Sequence, residues 1–190
     1  FSILIALLAI IVGFHAWKRQ FIGSRRIALL EDVLTGFYQA RDSIADIRNP
    51  VIFEGEGSTV KPQQTKQSNV DTDTQAFYVI IERFSRHNGL FTKLQVQKYR
   101  FMATFGAEKA EPFERLSKLL NDLAFTNNFL NHPESGIEHY QPPFDESLKK
   151  LLVESRRKLY SSSDDPIKKE VEEIIGLIEK IVSNEMKKTI

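Results

Sequence analysis

The sequence predicts an all-α protein, with an N-terminal transmembrane helix followed by an antiparallel helical bundle of about five helices. Three observations predict it. The chain opens with an apolar run that ends in a basic collar. Further on, apolar residues recur at the three-and-four spacing of helices buried on one face. No stretch shows the strict alternation of a half-buried strand.

The opening run, Phe1 to Trp17, carries no formal charge unless His15 is protonated. At about 1.5 Å per residue it covers roughly 26 Å, slightly less than the ~30 Å hydrocarbon layer. The first residue is Phe rather than Met, so the expectation is a somewhat longer span. Trp17 suits the aromatic belt at the membrane surface. Lys18, Arg19, Arg25 and Arg26 follow it with no acid between them. Trp17 and these four are the expected lipid headgroup contacts, and the positive-inside rule puts the rest of the chain in the cytoplasm. A signal peptide would carry its charges before the apolar core and a small-residue cleavage site after it. A buried core helix of a soluble protein is the alternative the run's length leaves open, against which its unbroken apolar surface on all sides counts. The signal-peptide pattern is absent, and the anchor is the favoured reading.

The expected organisation is an anchor over 1–17, a basic collar and first bundle helix over 18–48, a polar loop over 49–73 that is partly disordered, and the remaining bundle over 74–190. Ile27, Leu30, Leu34, Phe37, Ile44 and Ile47 form the first stripe, interrupted by Arg41. Asn49-Pro50 ends that helix, because proline disfavours helical geometry in the residue before it. Gly23 is a weak breaker, so the anchor is expected to continue into this helix with little bend. Ile52 to Thr59 is expected to fold back through Ile52 and Phe53.

A long helix over Thr74–Phe105 has Phe77, Ile80, Phe84, His87, Phe91, Leu94, Lys98, Phe101 and Phe105 in register, with Gly106 as its cap. The next begins near Pro112 with Phe113, Leu116, Leu120, Leu123 and Leu130 inward and Asn127 as a polar gap. A loop over 132–143 leads to a helix over Asp145–Tyr160, with Leu148, Leu151, Leu152 and Leu159 inward. Ser161 to Asp165 is a turn and N-cap, and Pro166 opens the last helix. There Val171, Ile174, Ile178 and Ile181 form a stripe narrow enough for a coiled-coil seam, an expected self-association surface.

Composition limits the function. Lys and Arg number 26 against 25 Asp and Glu, a net charge of +1, so no strong field selects nucleic acid. With no cysteine, there can be no disulfide, thiolate metal site or cysteine nucleophile. The expected partners are the lipid bilayer and either another protein or a second copy of the chain. No cofactor is expected.

Candidate chemistry is sparse. His132 and His139, with Glu134 and Glu138, share a loop but lack metal-motif spacing. His87 lies on an apolar stripe and reads as a hydrogen-bonded core histidine. Arg83 and His87 are one turn apart, one residue too close for the Arg-x4–6-His pattern of helical RNases. Gly55-Glu56-Gly57-Ser58-Thr59 lacks the glycine-lysine-serine order of a phosphate loop and reads as a turn. A polar set of Arg41, Asp42, Asp46 and Arg48, with Tyr99 and Arg100 on the long helix, contains Arg41 where an apolar residue belongs. That arginine needs a carboxylate or a wet cleft, and it reads first as a structural ion pair and second as part of a ligand site. Arg41, Asp42 and Arg48 with Gly55, Gly57 and Ser58 make the candidate ligand site.

Phe37-Tyr-Gln-Ala-Arg-Asp42, Ile47-Arg-Asn-Pro50, Gly55-Glu-Gly-Ser58, Tyr99-Arg-Phe-Met-Ala103, Phe105-Gly106 and Asp164-Asp-Pro-Ile167 resemble an uncharacterised family of bacterial single-pass membrane proteins with a cytoplasmic helical domain. The resemblance implies a bacterial inner-membrane location and an ordered Gly55–Ser58 turn. It brings no activity, cofactor or catalytic residue. The leading functional expectation is a membrane-tethered helical domain acting in protein–protein interaction or self-association. The alternative is a sensor or enzyme responsive to nucleotides or phosphometabolites, and a third class is lipid sensing through the collar.

Overall fold

The first helix, α1, runs without a break over Ser2–Ile47, 46 residues and so roughly 70 Å. In the computed structural model residues 2–60, 72–131, 146–162 and 164–189 are described, and the side chains of 2–11, 16, 72–74, 131 and 148 are not. Gly23 causes no break, as expected. Four more α-helices follow among the described residues: α2 Thr72–Phe105, α3 Glu111–Asn131, α4 Glu146–Leu159 and α5 Pro166–Thr189. A short 3-10 turn over Ala107–Lys109 links α2 to α3. The expected helical bundle is therefore present.

Helices α1, α2, α3 and α5 pack in a closed ring, each antiparallel to its neighbours, and α4 lies against α3 and α5. Ion pairs and ring contacts fix the registers. Tyr38 bonds Glu179 in the middle of α5 and Arg48 bonds Asp165 at its start, while Lys98 bonds Glu114 between α2 and α3. This is up-down-up-down packing, with a short connection only between α2 and α3. Each helix supplies one apolar stripe to the shared core: Leu30, Val33, Phe37 and Ile44 from α1, Leu94, Phe101 and Phe105 from α2, Phe113, Leu116, Leu119 and Leu123 from α3. At its centre Phe37 meets Phe113 edge-on at 4.9 Å, with Phe101 at 5.5 Å from the same ring.

α5 completes the ring with Val171, Ile174, Ile178 and Val182 buried and Ile181 half-buried against them. The stripe read as a self-association seam is thus filled by this chain's own helices, and a second copy could use it only if α5 left the bundle. In α4 the expected inward set holds only in part. Leu159 is buried in a second cluster with Ile47 and Ile80, Leu152 is half-buried, and Leu151 is exposed. Packing against two helices at one edge leaves α4 more surface than a ring member has.

Two chain reversals position the polar end of the bundle. Asp165 caps α5, its carboxylate accepting from the Ile167 and Lys168 amides at 3.0 and 3.1 Å. After α1, residues 52–60 fold back, with Gly57 buried at φ +80 beside the α2 backbone. A Cβ there would lie 3.1 Å from the Val79 amide nitrogen, so glycine is required twice over. The ordered Gly55–Ser58 turn is thus present. The later part of that loop, 61–71, and the loop at 132–145 with His132, Glu134, Glu138 and His139 lie outside the described residues.

Toward its N-terminus α1 leaves the bundle. At Gly23 it passes Thr189 of α5. Beyond it, Val12, Phe14, Trp17, Phe21 and Ile22 are all exposed. Among the described residues no helix is long and apolar enough to cross a membrane. The side chains of 2–11, most of the apolar run, lie outside that description.

Candidate functional site

Two buried arginines organise the polar end. Arg48, in the turn that ends α1, is buried and bonds both Asp165 carboxylate oxygens, at 2.7 and 2.8 Å. Its remaining donors reach the carbonyls of Lys158 at 2.8 Å and of Arg157 and Tyr160, both at 3.2 Å. A helix C-terminus leaves such carbonyls without partners, and here one guanidinium supplies them for α4. Burial alone would raise the Asp165 carboxyl, but the Arg48 bonds and the two capping amides outweigh it and hold the group below its ordinary value.

Arg83 repeats the arrangement from α2. It is also buried, bonds Glu56 in bidentate fashion at 2.7 and 3.2 Å, and donates to the carbonyls of Asp46, Asn49 and Val51 at the end of α1. Glu82 beside it accepts from the Gly57 amide at 2.7 Å. The Glu56 carboxyl is held low, first by its bond from Arg83. His87 Nε2 lies 2.8 Å from Asp46 Oδ2, with the Arg86 guanidinium 3.5 Å from that same oxygen. Arg83 and His87, one turn apart, thus meet on Asp46, Arg83 at its carbonyl and His87 at its carboxylate, while Arg83 alone also holds Glu56. The Gly55–Ser58 turn is fastened by an acid–arginine clasp, in which Glu56 takes up donors of Arg83.

A cleft of about 350 Å³ lies between α1 and the start of α5, with Arg41, Asp42, Ser161, Ser162, Lys168 and Glu172 at its rim and the Arg48–Asp165 pair in its wall. Arg41 is not the buried arginine that its stripe position suggested. It stays at the rim, over the Tyr38 ring at 5.5 Å and bonded to Asp42 at 3.1 Å. The buried one is Arg48, two turns further along the same face. Of the candidate ligand residues, Arg41, Asp42 and Arg48 line this cleft, whereas Gly55, Gly57 and Ser58 do not. Tyr99 and Arg100 are exposed near the opposite end of the bundle. The composite site expected from the sequence is divided.

The collar lies at that opposite end. Trp17, Lys18, Arg19 and Arg25 are exposed on α1. Arg26 is half-buried, 3.9 Å from the buried Glu185 and 5.1 Å over the Phe105 ring. Glu185 is held low, first by its bond from Lys188. Among the described residues no group of three or more metal-ligating side chains is close enough to hold an ion. Sequence reasoning missed Arg83, Glu56 and Asp165 as a structural set. The available signal was an arginine on an otherwise apolar helix face, which requires a carboxylate. Comparison of the chain with known protein families, curated proteins and solved structures gives no match.

Proposed function

We propose that this chain is a membrane-tethered helical domain, held by the N-terminal part of α1 with the bundle at the cytoplasmic face, and that it works by binding a protein partner there. The observation that carries the reading is the exposure of Val12, Phe14, Trp17, Phe21 and Ile22 on a helix that has left its own bundle. Apolar surface of that extent requires cover, and the apolar residues Phe1–Val12 continue it. The basic residues Lys18, Arg19 and Arg25 at its base match anionic headgroups and set the orientation. The resemblance to bacterial single-pass membrane proteins supports an inner-membrane location.

A domain acting on nucleotides would need a convergent polar site with free donors. Arg48 and the Gly55–Ser58 turn are instead occupied by the bundle's own closures, which favours the interaction reading. The test is extraction of native membranes with alkaline carbonate. The full chain should stay in the pellet, and a reporter fused to its C-terminus should be active in the cytoplasm. Release into the supernatant, or a periplasmic reporter, would overturn the tether.

A further inference from the structure

A groove of about 310 Å³ runs where α1 leaves the bundle, between its segment from Phe21 to Leu29 and the last turns of α2. Its polar lining is Arg25 and Arg26 from α1 and Arg100 and Thr104 from α2, with no carboxylate among the lining residues. Three arginines facing one groove make a local anion-attracting field on a chain whose net charge is only +1. Arg26 is turned partly toward Glu185, and its Nε is buried without a hydrogen-bond partner. Arg25 and Arg100 are exposed.

An aromatic ridge leads into the groove. Phe14 and Trp17 lie 6.0 Å apart, Trp17 stacks on Phe21 at 5.5 Å, and the Arg25 guanidinium sits 4.5 Å over Phe21. These residues share one side of α1, as three-and-four spacing requires. Phe21 and Arg25 lie about 6 and 12 Å beyond Trp17 along the axis. With Trp17 at the edge of the hydrocarbon, that places the groove at and just outside the headgroup layer, which is roughly 5–8 Å thick on each side.

We propose that this groove binds the phosphate headgroup of an anionic phospholipid, with Arg25 and Arg100 reaching the phosphate, its glycerol-ester region against Phe21 and its acyl chains entering the hydrocarbon beside Trp17. The proposal rests on the tethered reading and adds a defined site to it. Lys18 and Arg19 belong to α1 alone and attract any anionic surface. Arg100 belongs to α2, so a lipid held between it and Arg25 would tie two helices to the membrane and fix how the bundle stands on it. Continuity with the apolar ridge favours a lipid over free phosphate.

Trp17 is the only tryptophan in the chain and reports on both ideas. The full-length protein would be reconstituted in vesicles of phosphatidylcholine and phosphatidylglycerol, with brominated acyl chains on one lipid or the other at equal mole fraction. Quenching by either lipid places Trp17 in the bilayer. Stronger quenching by brominated phosphatidylglycerol reads selective binding. Arg100→Gln should lower that selectivity about tenfold or more, the loss of a direct hydrogen bond to a charged group. Arg25→Gln should do the same, Arg100→Lys should keep most of it, and Lys18→Gln should leave it nearly unchanged. Helical circular dichroism identifies any variant that has lost its fold.

Equal quenching by the two lipids overturns the headgroup site and leaves the tether standing. A loss with Lys18→Gln as large as with Arg100→Gln overturns it in favour of diffuse attraction. Selectivity erased by inorganic phosphate at matched ionic strength overturns it in favour of a soluble anion. Absence of quenching by either lipid overturns the tether and the site together.

Discussion

Arg48 and Arg83 show how much one buried side chain can determine. Each closes the carbonyl end of a helix and neutralises one carboxylate, and each is itself buried. Breaking such a pair from one side leaves a buried charge uncompensated, which costs about 3–5 kcal/mol. Arg48→Met should therefore destabilise the bundle by that order in urea denaturation. Arg48→Lys should recover little, because an ammonium cannot span both Asp165 oxygens and three carbonyls. A measured loss under about 1 kcal/mol for Arg48→Met would contradict the assigned role. The carboxylates set the pH dependence. Glu56, held low first by Arg83, Glu185 by Lys188, and Asp165 despite its burial all sit below their ordinary values of 4.5, 4.5 and 3.8. A carboxyl with a lowered folded value adds stability that is fully present above its unfolded value and is lost as pH falls through the folded one. Urea midpoints should hold between about pH 7 and 5 and decline below about 4.5. The decline should be shallower in Glu56→Gln. A midpoint that rises on acidification would refute this linkage.

The elements were legible in the sequence to unequal degrees. The stripes of α1, α2 and α3 could be read because burial on one face leaves a period in the chain, and Phe37, Phe101 and Phe113 lie in the core as that period requires. The capping of α5 by Asp165 was equally plain, since the signal is local. The clasps were not legible. Arg48 and Asp165 are 117 positions apart and Arg83 and Glu56 are 27 apart, and no local pattern reports a meeting of that kind. The stripe on α5 was visible but ambiguous, because a seam for a second copy and a face for one's own bundle share the same spacing. Burial resolves the ambiguity. Ile178, fully buried, should cost about 2–5 kcal/mol when cut to alanine. Ile178→Asp should unfold the bundle, as seen by circular dichroism. A folded Ile178→Asp protein changed only in oligomeric state would restore the seam. In the turn after α1, Gly57→Ala should cost about 1–2 kcal/mol for its positive φ, besides the crowding against Val79. An unchanged urea midpoint for that variant would show that the turn does not hold this geometry.

The whole molecule divides into two environments along one helix. From Leu29 to Ile47 the α1 helix buries its apolar face in a four-helix ring, and from Ile22 back to Val12 its large apolar side chains are exposed. A single unbroken helix couples the two, so whatever holds the N-terminal part holds the bundle in a fixed direction. The collar at the junction and the groove beside Arg100 lie on one end of the ring. The two clasps, and the cleft between α1 and α5, lie at the other, facing away from the proposed membrane. That arrangement leaves the distal end free for a protein partner.

The central claim is that the N-terminal part of α1 lies in lipid while the bundle stands in the cytoplasm. A chain without cysteine allows it to be tested position by position. Single cysteines at Val12, Phe14, Ser24, Ala28 and Thr35, all exposed positions, would be placed in the full chain and treated with a membrane-impermeant maleimide. Cysteines at 12 and 14 should stay unlabelled in intact cells and in inverted vesicles. Those at 24, 28 and 35 should label only in inverted vesicles, where the cytoplasmic face is outside. Labelling at 12 and 14 as fast as at 28 in inverted vesicles, or labelling at 24, 28 and 35 in intact cells, would contradict the account.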